Sequence, residues 1–177
     1  MRLLLIRHGQ TVDNVNGALG TVIPGPVLTD LGVDQAAAIP AALAGESIEA
    51  IYVSTMQRTA LTAAPLVAAT GLEARVLDGI YEIGAGIFEG KSDKDSVHAY
   101  MGTIMSWWKD SAARVTGAES GDEFFARFTN AIARVAEAHD GTVVVFSHGA
   151  AIRTWASATS LNIDEEFSRN HGLPTPA

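Results

Sequence analysis

Short runs of apolar residues alternate along the chain with longer segments in which apolar residues recur at helical spacing. Residues 3–6 and Thr142–Ser147 are continuous apolar runs, which is typical of strands buried on both faces of a parallel sheet. Residues 48–54 form a third candidate strand, and residues 73–77 a fourth with a weaker pattern. These four segments are predicted to form the sheet.

The longer segments predict helices whose ends carry capping residues. One follows Thr29, whose hydroxyl suits a helix N-cap, and extends to residue 45, with Pro40 expected to kink or split it. Another covers residues 56–71 and contains Pro65 as an expected irregularity.

A third helix is predicted over residues 121–141, and a final helix just after Gly149. Residues 15–27 are predicted to be a long loop rich in glycine and proline, and residues 91–117 an inserted helical lid. The apolar face of the third helix comprises Phe124, Phe125, Phe128, Ile132, Val135 and Ala136.

Strands that alternate with helices predict an α/β fold. We expect a three-layer sandwich, with a mostly parallel central sheet and helices on both faces. The sequence shows no internal repeat or linker, so residues 1–177 are predicted to form one domain with a helical insertion near 91–121.

Composition narrows the class of protein. An apolar content of 47% with 18% charged residues is that of a globular chain, and no run is long enough to cross a membrane. The run at 3–6 is too short for a signal peptide, and the chain has no cysteine, so a cytoplasmic location is expected. The net charge of −8 argues against a nucleic-acid partner but permits a cationic pocket for a small anion.

Two histidines follow predicted strands in the same way. His8 and Gly9 follow the first strand, and His148 and Gly149 follow the last. One histidine after a strand is more often a structural hydrogen-bonding residue than a catalytic one. Because ligands bind beyond the carboxyl ends of strands in open α/β sheets, the repeated pattern indicates one site built from both.

Charged residues also lie near the ends of the predicted strands. Arg7 precedes His8, and Arg58 lies in the first turn of a predicted helix, where a cation opposes the helix dipole unless an anion binds between them. Glu82 and Glu89 lie in a glycine-punctuated loop after the fourth strand. Two arginines, two histidines and a carboxyl group at strand ends favour chemistry on a phosphoryl group.

Five stretches carry a family resemblance, in the same order as in the family: RHGQTVDN, LTDLGVDQA, VSTMQRTALTA, YEIGAGIFEG and VVVFSHGAAIR. Together they resemble the histidine phosphatase superfamily, also called the phosphoglycerate mutase-like family. The resemblance implies a phosphoglycerate mutase-like fold and a phosphohistidine mechanism.

The resemblance also implies roles for single residues. His8 is the expected nucleophile, and Arg7 and Arg58 are expected to hold the phosphoryl group. His148 is expected to donate to another phosphate oxygen, and Glu82 to protonate the leaving oxygen and later activate water.

Weaker expectations concern the surrounding loops. Asn14 is expected to contact the phosphate or hold its loop, and Gly20 and Thr21 to contact the rest of the substrate. Glu89 is expected to be structural, while Thr11 suits a backbone cap and a ligand contact equally. No cofactor or metal is expected, since the five histidines lack the usual metal-ligand spacings.

The expected activity is that of a metal-independent histidine acid phosphatase-type phosphomonoesterase acting on a small phosphorylated substrate. A phosphoglycerate mutase-type phosphotransferase, an isomerase, is the alternative, although the segment after Glu82 is closer to the phosphatase branch. In the mutase branch, a longer insertion carries further basic residues that bind a carboxylate-bearing substrate. The basic residues of the corresponding segment here are Lys91, Lys94, Lys109 and Arg114. A catalytically silent phosphoester-binding module is a third reading.

The family usually continues with another strand after the segment matching residues 168–177, whereas this sequence ends at Ala177. This difference leaves substrate selection and closure of the sheet edge open. An exposed edge strand would favour a homodimer.

Overall fold

A computed structural model describes residues 1–161, and this part of the chain contains a four-stranded parallel sheet. The strands are β1 (Arg2–Arg7), β2 (Ile48–Val53), β3 (Ala74–Val76) and β4 (Thr142–Ser147). The strand order is β1-β4-β2-β3, so the last of these strands in sequence lies between the first and the second. All four predicted strands are confirmed.

The helices connect these strands. They are α1 (Val12–Asn16), α2 (Asp30–Ala42), α3 (Gln57–Thr70), α4 (Lys94–Ser106), α5 (Gly121–Ala138) and α6 (Gly149–Thr159), with a short 3₁₀ turn at Gly86–Phe88. Neither Pro40 nor Pro65 splits its helix. A proline removes one main-chain hydrogen bond, and here α2 and α3 pack against each other and remain helical.

Strand β4 contributes to a hydrophobic core on each face of the sheet. Val144 and Phe146 pack with Ala63 and Leu66 of α3 on one face, where α2 also lies. Val143 and Val145 face the opposite core, which contains side chains of α4, α5 and α6. Such alternation is expected of a central strand covered on both faces. The predicted α/β layering is therefore confirmed.

Three details differ from the sequence prediction. The predicted loop at 15–27 begins inside α1, which is too short to show a helical period in sequence. Ala136 is exposed rather than part of the buried face of α5. This helix also ends at Ala138, because His139 adopts an extended backbone conformation (φ −142°, ψ 139°).

The predicted insertion consists of α4 followed by an irregular segment. Trp107 is buried, stacks on Phe124 at 5.6 Å between ring centroids and donates its indole N–H to the Ala113 carbonyl at 2.9 Å. Trp108 lies at the surface. Within residues 1–161, no helix is both long and apolar enough to span a bilayer. The segment 168–177, where the sequence departs from the family pattern, lies outside the described residues.

Candidate active site

The carboxyl ends of the three adjacent strands β1, β4 and β2 meet at one edge of the sheet. Arg7 is opposite Ser147 in the strand register, and the His8 main-chain N–H donates to the Ser147 carbonyl at 3.1 Å. On the other side of β4, the Ser54 N–H donates to the Phe146 carbonyl at 3.2 Å. This pairing brings His8, His148 and Ser54 together.

A cleft of about 340 Å³ opens above this edge. The predicted site residues that line it are Arg7, His8, Asn14, Gly20, Thr21, Arg58 and Glu82. His148 is completely buried beneath them, with its ring centroid 5.2 Å from that of His8. The structure thus places the sequence candidates from distant segments around one cavity.

The ring of His8 is held in one orientation and one protonation state. Its Nδ1 lies 2.8 Å from the Gly9 carbonyl. Because a carbonyl can only accept, Nδ1 carries the hydrogen and the lone pair is on Nε2. Burial, and then the nearby Arg58, lowers the pKa of His8 from 6.5 to about 3. The imidazole is therefore neutral at physiological pH, as a nucleophile requires.

The ring of His148 has partners at both nitrogens. Arg58 Nε lies 3.2 Å from Nδ1, and because a guanidinium only donates, Nδ1 must accept. The hydrogen is then on Nε2, which donates to Ser54 Oγ at 2.7 Å. Burial, and then Arg58, lowers the pKa of His148 well below its usual value. In this arrangement His148 supports Arg58, and its expected donation to a phosphate oxygen remains a prediction.

Arg7 and Arg58 both line the cleft. Arg58 donates through Nη2 to the Gly20 carbonyl at 3.2 Å, while its Nη1 and the Nε of Arg7 are buried without a hydrogen-bond partner in the described residues. Burial is the main cause that lowers the pKa of both guanidinium groups. The two guanidinium groups place positive charge at the wall of the cleft, which would favour an anionic ligand between them.

Glu82 lies in the loop after β3, and its carboxylate binds the N-terminus of α6. Its Oε1 accepts from the main-chain N–H groups of Ile83 at 2.9 Å and Ala151 at 2.8 Å, and its Oε2 from that of Ala150 at 3.2 Å. These bonds hold both carboxylate oxygens at the wall of the cleft. A group in this position can give a proton to a leaving oxygen or take one from water.

The weaker candidates are mostly held by other protein groups. Asn14 Oδ1 accepts from the N–H of Thr11 at 3.0 Å and its hydroxyl at 3.2 Å, a bond that closes the first turn of α1. Glu89 accepts from the main-chain N–H and the hydroxyl of Thr21, which agrees with a structural role for Glu89. Thr21 therefore already has partners for its main-chain N–H and its hydroxyl, whereas these bonds occupy only the oxygen of the Asn14 amide, and its contact with a phosphate stays a prediction.

Gly9 has a role that sequence reasoning missed. A Cβ at this position would lie 2.5 Å from the carbonyl oxygen of Gly32, at the start of α2. The absence of a side chain at Gly9 therefore lets the His8 turn lie close to a helix. A matching glycine at Gly32, where a Cβ would lie 2.1 Å from the Gln10 carbonyl oxygen, is the signal that was available in sequence.

Arg153 was also missed as a site residue. It lines the cleft from α6, and its buried Nε has no partner within residues 1–161. It lies four residues after Gly149, one helical turn along the same face, which is the available sequence signal. Asp13, Tyr100 and Met101 complete this part of the wall, so α4 does contribute to the cleft.

Comparison with known proteins places this site in a family. The model of the histidine phosphatase superfamily (branch 1) matches residues 3–176. An adenosylcobalamin/alpha-ribazole phosphatase from Escherichia coli is 30% identical over 150 residues, which cover 84% of this chain and 73% of that protein.

A solved structure gives the same result. A mycobacterial glucosyl-3-phosphoglycerate phosphatase in complex with VO3 superposes with a TM-score of 0.76 at 29% identity, over 89% of this chain and 80% of that one. A PE-PGRS family protein from Mycobacterium tuberculosis is 49% identical over 85 residues, which are 48% of this chain but only 15% of that protein. The expected fold family is confirmed: the chain belongs to the histidine phosphatase superfamily.

Proposed function

We propose that this chain is a metal-independent phosphomonoester hydrolase that acts through a phosphohistidine on His8. The observation that carries the proposal is the His8 ring, whose Nδ1–H is bound to the Gly9 carbonyl and whose free Nε2 faces a cleft lined by Arg7 and Arg58. The phosphatase relatives support hydrolysis as the reaction.

In the first step, the lone pair of His8 Nε2 forms a bond to phosphorus while the bond from phosphorus to the ester oxygen breaks. The leaving oxygen takes a proton from the carboxyl group of Glu82 and departs as an alcohol. The Nδ1–H bond to Gly9 stabilises the positive charge that the ring acquires. Arg7 and Arg58 neutralise the charge on the transferring oxygens.

In the second step, the Glu82 carboxylate takes a proton from a water molecule as the water oxygen attacks phosphorus. The bond between phosphorus and Nε2 breaks, inorganic phosphate leaves, and the lone pair returns to His8. Glu82 ends the cycle protonated, ready for the next ester.

Hydrolysis is favoured over mutase chemistry by the lining of the cleft. Lys91, Lys94, Lys109 and Arg114 were the sequence candidates for gripping a mutase substrate. None of these side chains lines the cleft in residues 1–161. Arg114 instead pairs with the exposed Glu123, with 3.2 Å between the charged atoms.

The test is release of inorganic phosphate from a panel of small phosphomonoesters, with EDTA present, by the wild type and His8→Ala. We expect release by the wild type and at least about a 10³-fold lower rate for His8→Ala, since the nucleophile is removed. The matched control is His98→Ala, because His98 is exposed on α4 outside the cleft and its loss should not alter the rate.

Three other outcomes would overturn parts of the proposal. Equal rates for the wild type and His8→Ala would exclude the phosphohistidine mechanism. A wild type that releases phosphate without EDTA but not with it would exclude a metal-independent reaction. No release from any ester would overturn hydrolysis as the reaction. Intact-mass measurement would then show whether the protein takes up a phosphoryl group, as a phosphotransferase does and a silent binding module does not.

A further inference from the structure

Five successive carbonyl groups of the acid loop, residues 79–83, accept hydrogen bonds from side chains of other segments. Ser147, the last residue of β4, donates to Ile80 at 2.7 Å, and Tyr100 of α4 donates to Ile83 at 2.9 Å. The remaining three carbonyls accept from a single residue of α5, Arg127. Side chains thus fix this loop where regular secondary structure does not.

Arg127 uses all five of its N–H groups. Nη1 donates to the carbonyls of Gly79 at 2.8 Å and Tyr81 at 2.9 Å, and Nη2 donates to that of Glu82 at 3.3 Å. Nε and Nη2 donate to the two carboxylate oxygens of Glu119 at 2.7 and 2.5 Å. The guanidinium also stacks on the Tyr81 ring, with its carbon 3.8 Å from the ring centroid.

The interactions of Arg127 and α6 meet at Glu82. Arg127 holds the main-chain carbonyl of Glu82 from the side of the core, while the amide groups of Ala150 and Ala151 hold its carboxylate from the cleft. Arg127 itself does not line the cleft. It therefore acts on the position of Glu82 and has no route to direct contact with a substrate.

We propose that Arg127 is a positioning residue for the general acid, holding the 79–82 backbone so that the Glu82 carboxyl reaches the leaving oxygen. This inference rests on the proposed role of Glu82. Lysine keeps the charge of Arg127 but is a point charge with three donors, so it cannot reproduce a planar grip on three carbonyls and a carboxylate.

The test uses the dependence of kcat/KM on the leaving group, because kcat/KM reports phosphoryl transfer to His8 and does not include the later hydrolysis step, which is the same for every ester. An alkyl ester needs a proton on its leaving oxygen, whereas p-nitrophenol leaves p-nitrophenyl phosphate as a stable anion and needs none. For Arg127→Gln we expect kcat/KM on the alkyl ester to fall about 10²-fold, with a change of less than about 3-fold on p-nitrophenyl phosphate. Arg127→Lys should show the same selective loss.

The matched control is Arg134→Gln, on the same helix. Arg134 is exposed and reaches the same region through one bond, from Nη2 to the Asp78 carbonyl at 3.1 Å. The Arg134→Gln variant should keep the wild-type kcat/KM on both esters. Equal losses on the two esters for Arg127→Gln would mean that Arg127 only stabilises the fold, and would overturn the inference.

A double variant separates this inference from the proposed function. Glu82→Gln alone should lower kcat/KM selectively on the alkyl ester, and adding Arg127→Gln should then cause no further selective loss in kcat/KM. If Glu82→Gln shows no leaving-group dependence, the proposed role of Glu82 is wrong. If Glu82→Gln shows it and Arg127→Gln does not, only the positioning role fails.

Discussion

The turn around His8 (residues 7–9) and the turn around His148 (residues 147–149) follow adjacent parallel strands and have the same local sequence pattern. Their rings nevertheless have different environments. His8 uses one nitrogen on the carbonyl of its own neighbour, Gly9, and keeps Nε2 free. His148 has both nitrogens bound, by Arg58 and Ser54. A shared pattern therefore specifies a shared location and leaves the chemical role open.

The difference arises from the partners that other segments supply. The partners of His148 are Arg58 at the start of α3 and Ser54 just after β2, the strand next to β4. His8 follows β1, the outer strand of the sheet within residues 1–161, where Gly9 packs closely against α2 and donates its N–H to Thr62 Oγ1 at 2.9 Å. One histidine is thereby presented to the cleft, and the other becomes part of the support beneath it.

Replacing His148 provides the largest contrast. His148→Leu removes the acceptor that holds Arg58 Nε, and misplacement of that guanidinium should lower kcat/KM about 10²-fold. Because His8 is intact, the variant should still form a phosphoenzyme, detectable by intact-mass measurement. The matched control is His139→Leu, because the His139 ring pairs with Glu49 at 2.7 Å just before β4, at the opposite end of the sheet. A complete loss of phosphoenzyme in His148→Leu would show that the two turns share the chemical step.

Titration of unfolding should reveal the low pKa of His8. Folded His8 has a pKa of about 3, against 6.5 in the usual case, so between these values the unfolded chain binds a proton that the folded chain excludes. The contribution to stability is complete above pH 6.5 and declines as pH falls towards 3. His8→Asn should make this decline shallower by about 1.4 kcal/mol per pH unit, measured by denaturant unfolding between pH 4 and 6.

The reference range for that measurement is above pH 7.5, where His8 is neutral in both the folded and the unfolded chain. There the difference in unfolding free energy between His8→Asn and the wild type should not vary with pH. Identical slopes for the two proteins between pH 4 and 6 would contradict a lowered pKa for His8.

The smallest effect is expected at Ser54. Ser54→Ala removes the hydroxyl that accepts from His148 Nε2 at 2.7 Å and from the Met56 N–H at 3.1 Å. A buried donor without a partner should lower the unfolding free energy by about 1 kcal/mol, measured by denaturant titration. Thr103→Ala is the control, since the Thr103 hydroxyl bonds to the Ala99 carbonyl on an exposed part of α4. An unchanged stability in Ser54→Ala would argue against the inferred tautomer of His148.

Sequence reasoning performed best where the chain pattern is local. The apolar runs predicted β1 and β4, and Thr29 as N-cap was confirmed by its hydroxyl, which accepts from the Gly32 N–H at 3.1 Å. It missed α1, whose five residues have no period to detect. It also missed Arg127, because a residue in the middle of an amphipathic helix carries no mark of the loop it contacts.

The sequence by itself determined the family, the positions of the strands along the chain and the residues capable of phosphoryl chemistry. Motifs and apolar periods involve residues that are close together in sequence, so they can be recognised without the fold. Only the tertiary structure decided that both nitrogens of His148 are bound while Nε2 of His8 is free, since Arg58 lies 90 positions away from the ring it contacts. The support of Glu82 was decided in the same way, by α5 and α6 meeting one loop from two sides. Hydrogen bonds between distant segments depend on folded distances, and those distances exist only once the sheet has assembled.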